Sequence, residues 1–251
     1  MDVPASREAR RVVARSPKER AQDELVMQTN SSSIVSKRSV ERIYYPDEPH
    51  YFRYFVKKFQ RRAPLINRGY HIRLHVIDTA VRRFLERPSE KTKVVVNLGC
   101  GSDVLPWQCM TRYPDACQHA KFIDIDFPDL MYKKRTIVLN TPELSSVFEP
   151  LNTKAGEHVI LDSDMYSQIG CDLRNTADIE KTLSECLSTS ECIFMFVAEV
   201  SITYMEVRLA NRFLPLSAVS LKHHLFGILL LRSLIFVITQ LLKTFPVSGD
   251  C

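Results

Sequence analysis

The chain has 251 residues, enough for one large domain or two small ones, with 45% hydrophobic and 25% charged residues. Thirteen prolines against seven glycines exclude a fibrous or low-complexity chain. Seven scattered cysteines, none in a CxxC pair, argue against a zinc site and for reduced thiols in a cytosolic protein. The net charge of +5 is uneven: residues 1–73 carry +8 and residues 74–251 carry −3. A basic front suits a polyanion partner or a solvated face equally well.

Residues 1–29 are polar, without an apolar period, and read as a disordered basic tail or a loose helix. Residues 30–40, NSSSIVSKRSV, are Ser-rich around Lys37 and Arg38; they suit either anion wrapping or a plain linker. Aromatic residues 51, 52, 55 and 59 fall at helical spacing, and core packing is their default meaning. Leu74, Ile77, Val81, Phe84 and Leu85 then predict a helix closed by Pro88. Arg73, near its start, is either solvated or aimed at a carboxylate in a pocket.

Lys93–Asp103, KVVVNLGCGSD, organises the chain. Its Val run predicts a buried central parallel strand, and Gly99-Cys100-Gly101 a tight turn that lets a ligand approach the main chain. The third glycine of a dinucleotide fingerprint is missing, since Val104 stands there. A helix over about 103–113 and a strand over 121–127 follow. Asp126 ends that strand, where an acid accepts hydrogen bonds from ribose hydroxyls or merely caps a helix. Further on, the pattern predicts a helix over 129–137, a short strand over 157–162, a loop at Cys171–Arg174 and a helix to about Leu187. A buried strand over 192–198 ends at Glu199, and a helix over 201–214 comes next. Asp126, Asp172 and Glu199 thus sit beside strand ends, the side on which open α/β sheets bind ligands. Residues 225–242 form an apolar run broken by Arg232; they read as a buried helix or, with that charge costly at its centre, a borderline membrane span.

The segments RRAPLINRGYHIR, VVNLGCGSD, FIDIDFP, GCDLR and AEVSITYM, in this order, resemble the leucine carboxyl methyltransferase family, from about Thr29 to Asn211. NSSSIVSKRSVERIYYPDEPHYFRYF and APLINRGY look most like its tRNA-modifying branch. The resemblance implies a Rossmann-like α/β sheet with a helical N-terminal cap over residues 30–212, binding S-adenosylmethionine without a metal. It implies that Lys37 and Arg73 hold the methionine carboxylate, Gly99 lies against the methionine, and Asp126 binds the ribose. Asp172 and Leu173 would flank the adenine, with Glu199 near the amino group and Arg73 also orienting the acceptor. The implied acceptor is the side-chain carboxylate of a wybutosine precursor on phenylalanine tRNA, with linked methoxycarbonylation of the same base. A protein C-terminal leucine carboxylate on a type 2A phosphatase and an inactive truncated remnant stay open as alternatives. Family members continue beyond the fourth strand, so the C-terminal part of the sheet is expected to be incomplete and residues 213–251 an altered apolar tail of unknown role.

Overall fold

The computed structural model describes residues 16–153, 156–188, 191–205 and 225–230. Helix α1, Pro17–Tyr44, opens with a capping box: the Glu19 N–H donates to Ser16 Oγ (3.2 Å), and Glu19 Oε2 accepts from the Ser16 N–H (2.8 Å). Residues 17–29 are therefore helical, and the Ser-rich segment lies within the same helix. The sequence hides this because α1 is polar and takes its stability from packing against α3, Pro64–Glu86.

The expected aromatic helix is broken. Pro46 and Pro49 follow the end of α1, and only α2, Phe52–Phe55, is helical there. Phe52 enters the core, while Glu41 accepts from the Tyr51 and Phe52 N–H groups at 2.8 and 3.2 Å and holds the turn.

The remaining elements alternate. They are β1 (Thr92–Leu98), α4 (Leu105–Arg112), α5 (Pro114–Cys117), β2 (Ala120–Asp126), α6 (Pro128–Leu139), α7 (Pro142–Ser145), β3 (Val159–Asp162), β4 (Tyr166–Gly170), α8 (Thr176–Cys186), β5 (Cys192–Ala198) and β6 (Leu225–Leu230). One sheet results, in the order β3-β4-β2-β1-β5-β6, parallel throughout except that β3 runs against β4.

The period of two in β1 serves two cores. Val95 joins Phe122, Val197, Val81, Trp107 and Tyr166 on the α3/α4 side. Val94, Val96 and Leu98 join Ile123, Ile125, Phe194 and Ile179 on the α8 side. Trp107 is fully buried, with Nε1 donating to the Leu144 carbonyl at 2.9 Å.

The sequence reading passed over β4, YSQIG, because its polar residues lack strand periodicity; they pair internally, Ser167 Oγ with Asp162 and Gln168 Nε2 with Tyr166 Oη. Leu225–Leu230, expected as helix, is instead a parallel strand beside β5, with Phe194 opposite Leu225 and Ala198 opposite Leu230. A short apolar run suits a buried strand as well as a helix; residues 231–242 of that run lie outside the described residues. Of the expected helix over 201–214, Ser201–Tyr204 is one 3-10 turn, and residues 206–214 lie outside the described residues.

Candidate functional site

The C-terminal ends of β1, β2, β4 and β5 share one edge of the sheet, and α1 covers it. Gly99 (φ +68°) and Gly101 (φ +52°) take left-handed conformations after β1. A Cβ at Gly99 would collide with Ser201, whose Oγ donates to the Leu98 carbonyl (2.5 Å); at Gly101 it would collide with the Asn30 side chain. Asn30 Oδ1 accepts from the Ser102 N–H (2.9 Å), which ties α1 to the turn. The Gly101 and Phe127 N–H groups donate to the two oxygens of Asp126, at 2.6 and 2.7 Å. Burial pushes the Asp126 carboxyl up to about 6, although both hydrogen bonds favour its charged form. Each oxygen keeps lone-pair capacity for a further donor.

Four charged groups form a row. Lys37 Nζ lies 2.6 Å from Glu199 Oε2 and 3.2 Å from Asp103 Oδ2, and Arg73 Nη2 lies 2.6 Å from Glu199 Oε1. Burial alone would lower the Lys37 pKa, but Asp103 and Glu199 outweigh it and keep the ammonium charged. Burial likewise works to raise Asp103, and the charges of Lys37 and Lys134 outweigh it, so that its pKa falls. Just past Glu199, Val200 adopts φ +63°, a conformation costly for a β-branched residue and frequent where a site must be held in shape. Beyond β4, Arg174 forks onto Asp172 (2.7–3.0 Å) and reaches Asp23 of α1 at 2.8 Å.

Lys37, Arg73, Gly99, Asp126, Asp172, Leu173 and Glu199, all named from sequence, line one cavity of about 1040 Å³. Sequence reasoning missed Asp103, Asn97, Asn30, Asp23 and Arg174 beside them. Asp103 stood in the quoted glycine-turn motif and Arg174 in GCDLR; the others carried no local signal. Among the described residues six carboxylates face the cavity (Glu19, Asp23, Asp103, Asp126, Asp172, Glu199) against three cations (Lys37, Arg73, Arg174). Asn97 Nδ2 and Arg73 Nε are buried without a hydrogen-bond partner among the described residues. Buried orphan donors in a native structure point to a missing acceptor.

Among the described residues no helix is long and apolar enough to cross a membrane, and no cluster of three His, Cys, Asp or Glu side chains is set to hold a metal ion. The six described cysteines are unpaired.

A mostly parallel sheet with a two-glycine turn after β1, an acid ending β2 and a cavity across the strand ends defines a Rossmann-like fold of the S-adenosylmethionine-dependent methyltransferase type. The family model described as Leucine carboxyl methyltransferase matches residues 9–216, and the chain belongs to that family. Among curated relatives, a protein of Gibberella zeae named tRNA wybutosine-synthesizing protein 4 is 58% identical over 193 residues, covering 75% of this chain and 19% of its own. The protein of the same name from Neurospora crassa is 47% identical, over 74% of this chain and 22% of its own, and that of Candida albicans 37% identical, over 78% and 30%. The chain thus spans about a fifth to a third of the length of these relatives.

Proposed function

We propose that the chain is an S-adenosylmethionine-dependent carboxyl methyltransferase of wybutosine biosynthesis, acting in the cytoplasm. Its acceptor is the side-chain carboxylate of the modified guanosine next to the anticodon of phenylalanine tRNA, with linked methoxycarbonylation of the same base. The observation that carries this reading is the Arg73–Glu199–Lys37–Asp103 row opening into the cavity beside the glycine turn. The names of the curated relatives support the acceptor.

The residues present fit the cofactor. The row holds two cations and two anions, so it can trade internal pairs for those of a zwitterionic amino acid without a change of net charge. Lys37 and Arg73 bind the methionine carboxylate, and Glu199 binds the ammonium. Gly99, where a side chain would not fit, lets the methionine lie against the main chain. Asp126 accepts from the ribose hydroxyls, while Asp172 and Leu173 flank the adenine. When bound, the cofactor supplies a methyl group activated by a positively charged sulfur.

An acceptor carboxylate is already ionised near neutral pH, so no side chain has to remove a proton. The work of the protein is alignment and exclusion of water: α1 walls the cavity, and Arg73 orients the acceptor through its unpartnered Nε.

Calorimetric titration of S-adenosylmethionine into the chain tests this, with Asp126→Ala alongside. The parent is expected to bind and the variant, still folded by its cooperative unfolding transition, to bind at least tenfold more weakly. A folded parent that takes up no cofactor overturns the proposal. Labelled methyl transfer to carboxyl-bearing precursor tRNA then tests the acceptor. Transfer instead to the C-terminal leucine of a type 2A phosphatase would establish the second reading, which the family's description favours.

A further inference from the structure

We infer that the acid-free stretch around Lys57, Lys58, Arg61 and Arg68 is a surface for an RNA phosphate backbone, set at the rim of the cavity; this rests on the tRNA reading above. Residues 49–77 contain seven Lys or Arg and no Asp or Glu, and so hold most of the positive excess of the N-terminal part. Lys57, Lys58, Arg61 and Arg68 are exposed, and none has a carboxylate partner among the described residues. Several cations elsewhere are paired, Arg112 with Glu48 and Asp78, Lys121 with Asp162, Arg82 with Glu86 and Lys181 with Glu185. A stretch with seven cations and no acid over residues 49–77 is an electrostatic footprint for a polyanion.

The stretch is also held in place. The Arg62 N–H donates to Ser39 Oγ (3.1 Å), its Nε to Ser36 Oγ (3.2 Å) and its Nη2 to the Ser32 carbonyl (3.4 Å). The Ser-rich segment of α1, read from sequence as an anion wrap or a linker, is therefore the seat of this stretch. Arg38 Nη1 donates to the Val56 carbonyl (2.5 Å), and the Phe59 ring lies under the Arg42 guanidinium at 4.4 Å. Asn67 Nδ2 donates to the Arg62 carbonyl at 2.9 Å, which carries the fastening into α3.

Position supplies the remaining support. Ser32, which Arg62 touches, lines the cavity, and so do Tyr70 and Arg73, on the turns of α3 after Arg68. An unneutralised basic stretch thus adjoins a cavity whose described lining holds more carboxylates than cations. A nucleic acid is held by its phosphates at the rim while one base enters, the division of labour expected when backbone contacts position and base contacts specify.

The test is binding of unmodified phenylalanine tRNA transcript to the parent and to Lys57→Ala/Lys58→Ala/Arg61→Ala/Arg68→Ala, over a series of KCl concentrations. Lys133→Ala/Lys181→Ala serves as the control, and cofactor binding is measured for all three. Removing four phosphate contacts is expected to flatten the log–log salt slope by about 3, at about 0.7–0.9 per contact, and to weaken binding at least tenfold near 0.1 M salt. Cofactor affinity and the control are expected to stay at parent values. If the quadruple variant keeps the parent's slope and affinity for tRNA, the surface is elsewhere while the tRNA reading stands. If the parent binds no tRNA yet methylates the phosphatase tail, the tRNA reading fails and this surface with it.

Discussion

Two buried ion-pair clusters lie on either side of the glycine turn. Beneath it, Lys134 Nζ meets Asp124 Oδ2 at 2.6 Å and donates to the Asp103 carbonyl at 2.6 Å, and Tyr166 Oη donates to Asp124 at 2.7 Å. The side chains of this pair are 0% and 1% exposed. Above the turn, Lys37, Glu199 and Arg73 form the row that faces the cavity, and Arg73 is 24% exposed. The chemistry is the same and the surroundings differ. A sealed pair has no alternative partners, so it fixes geometry. A pair at a cavity can exchange a protein partner for a ligand charge. Asp103 joins the clusters, its carboxylate on Lys37 and its carbonyl on Lys134.

Breaking the sealed pair is expected to have the largest effect. Lys134→Met leaves Asp124 charged and unpaired in the core, at a cost of about 3–5 kcal/mol in denaturant unfolding. Lys37→Met is expected to cost about half that, because Glu199 keeps Arg73, and to remove cofactor binding. Equal losses of stability would erase the distinction between the clusters.

The next effect, about 3 kcal/mol, concerns pH. The folded pKa of Asp126 is raised to about 6, above that of an unfolded Asp. The native state therefore holds this proton more tightly. The penalty for its charge is absent below about pH 4, grows between 4 and 6 and is complete above 6. Glu41, raised by burial to about 7, adds the same sign up to that pH. Unfolding free energies of the parent and Asp126→Ala across pH 4–7 isolate the Asp126 part, as a slope the variant lacks. If ligand hydroxyls need the ionised form, cofactor affinity falls about tenfold per unit below pH 6.

Smaller changes sharpen the comparison at the cavity itself. Gly99→Ala meets both an unfavourable φ and the Ser201 side chain, and is expected to cost about 1–2 kcal/mol and to weaken cofactor binding more than it weakens the fold. Smallest is Asp23→Asn, which loosens Arg174 from α1. About 0.5–1 kcal/mol is expected, seen as faster amide exchange confined to the first turns of α1.

What was legible in the sequence was local. β1 runs straight into its turn, β2 follows within one short helical crossover, and Asp126 stands at the end of a strand, so periodicity and spacing reach it. Lys37, Arg73 and Glu199 were placed by resemblance, and the structure brings them together across 162 residues of chain. What escaped depends on distant partners. Asp103 has meaning only beside Lys37, and Arg174 only beside Asp23. β4 drew no assignment because its polar atoms are satisfied by neighbours that no window of sequence contains. α1 looked like a tail because its stability lies in contacts with α3 and in Asn30 on the glycine turn.

The excess of carboxylates facing the cavity bears on turnover. In the proposed reaction the donor arrives with a positive sulfur and departs as an uncharged thioether. Among the described residues, six acids against three cations favour the first form over the second. The methyl transfer would thereby discharge the attraction that held the donor, and the spent molecule would leave a site tuned to its predecessor.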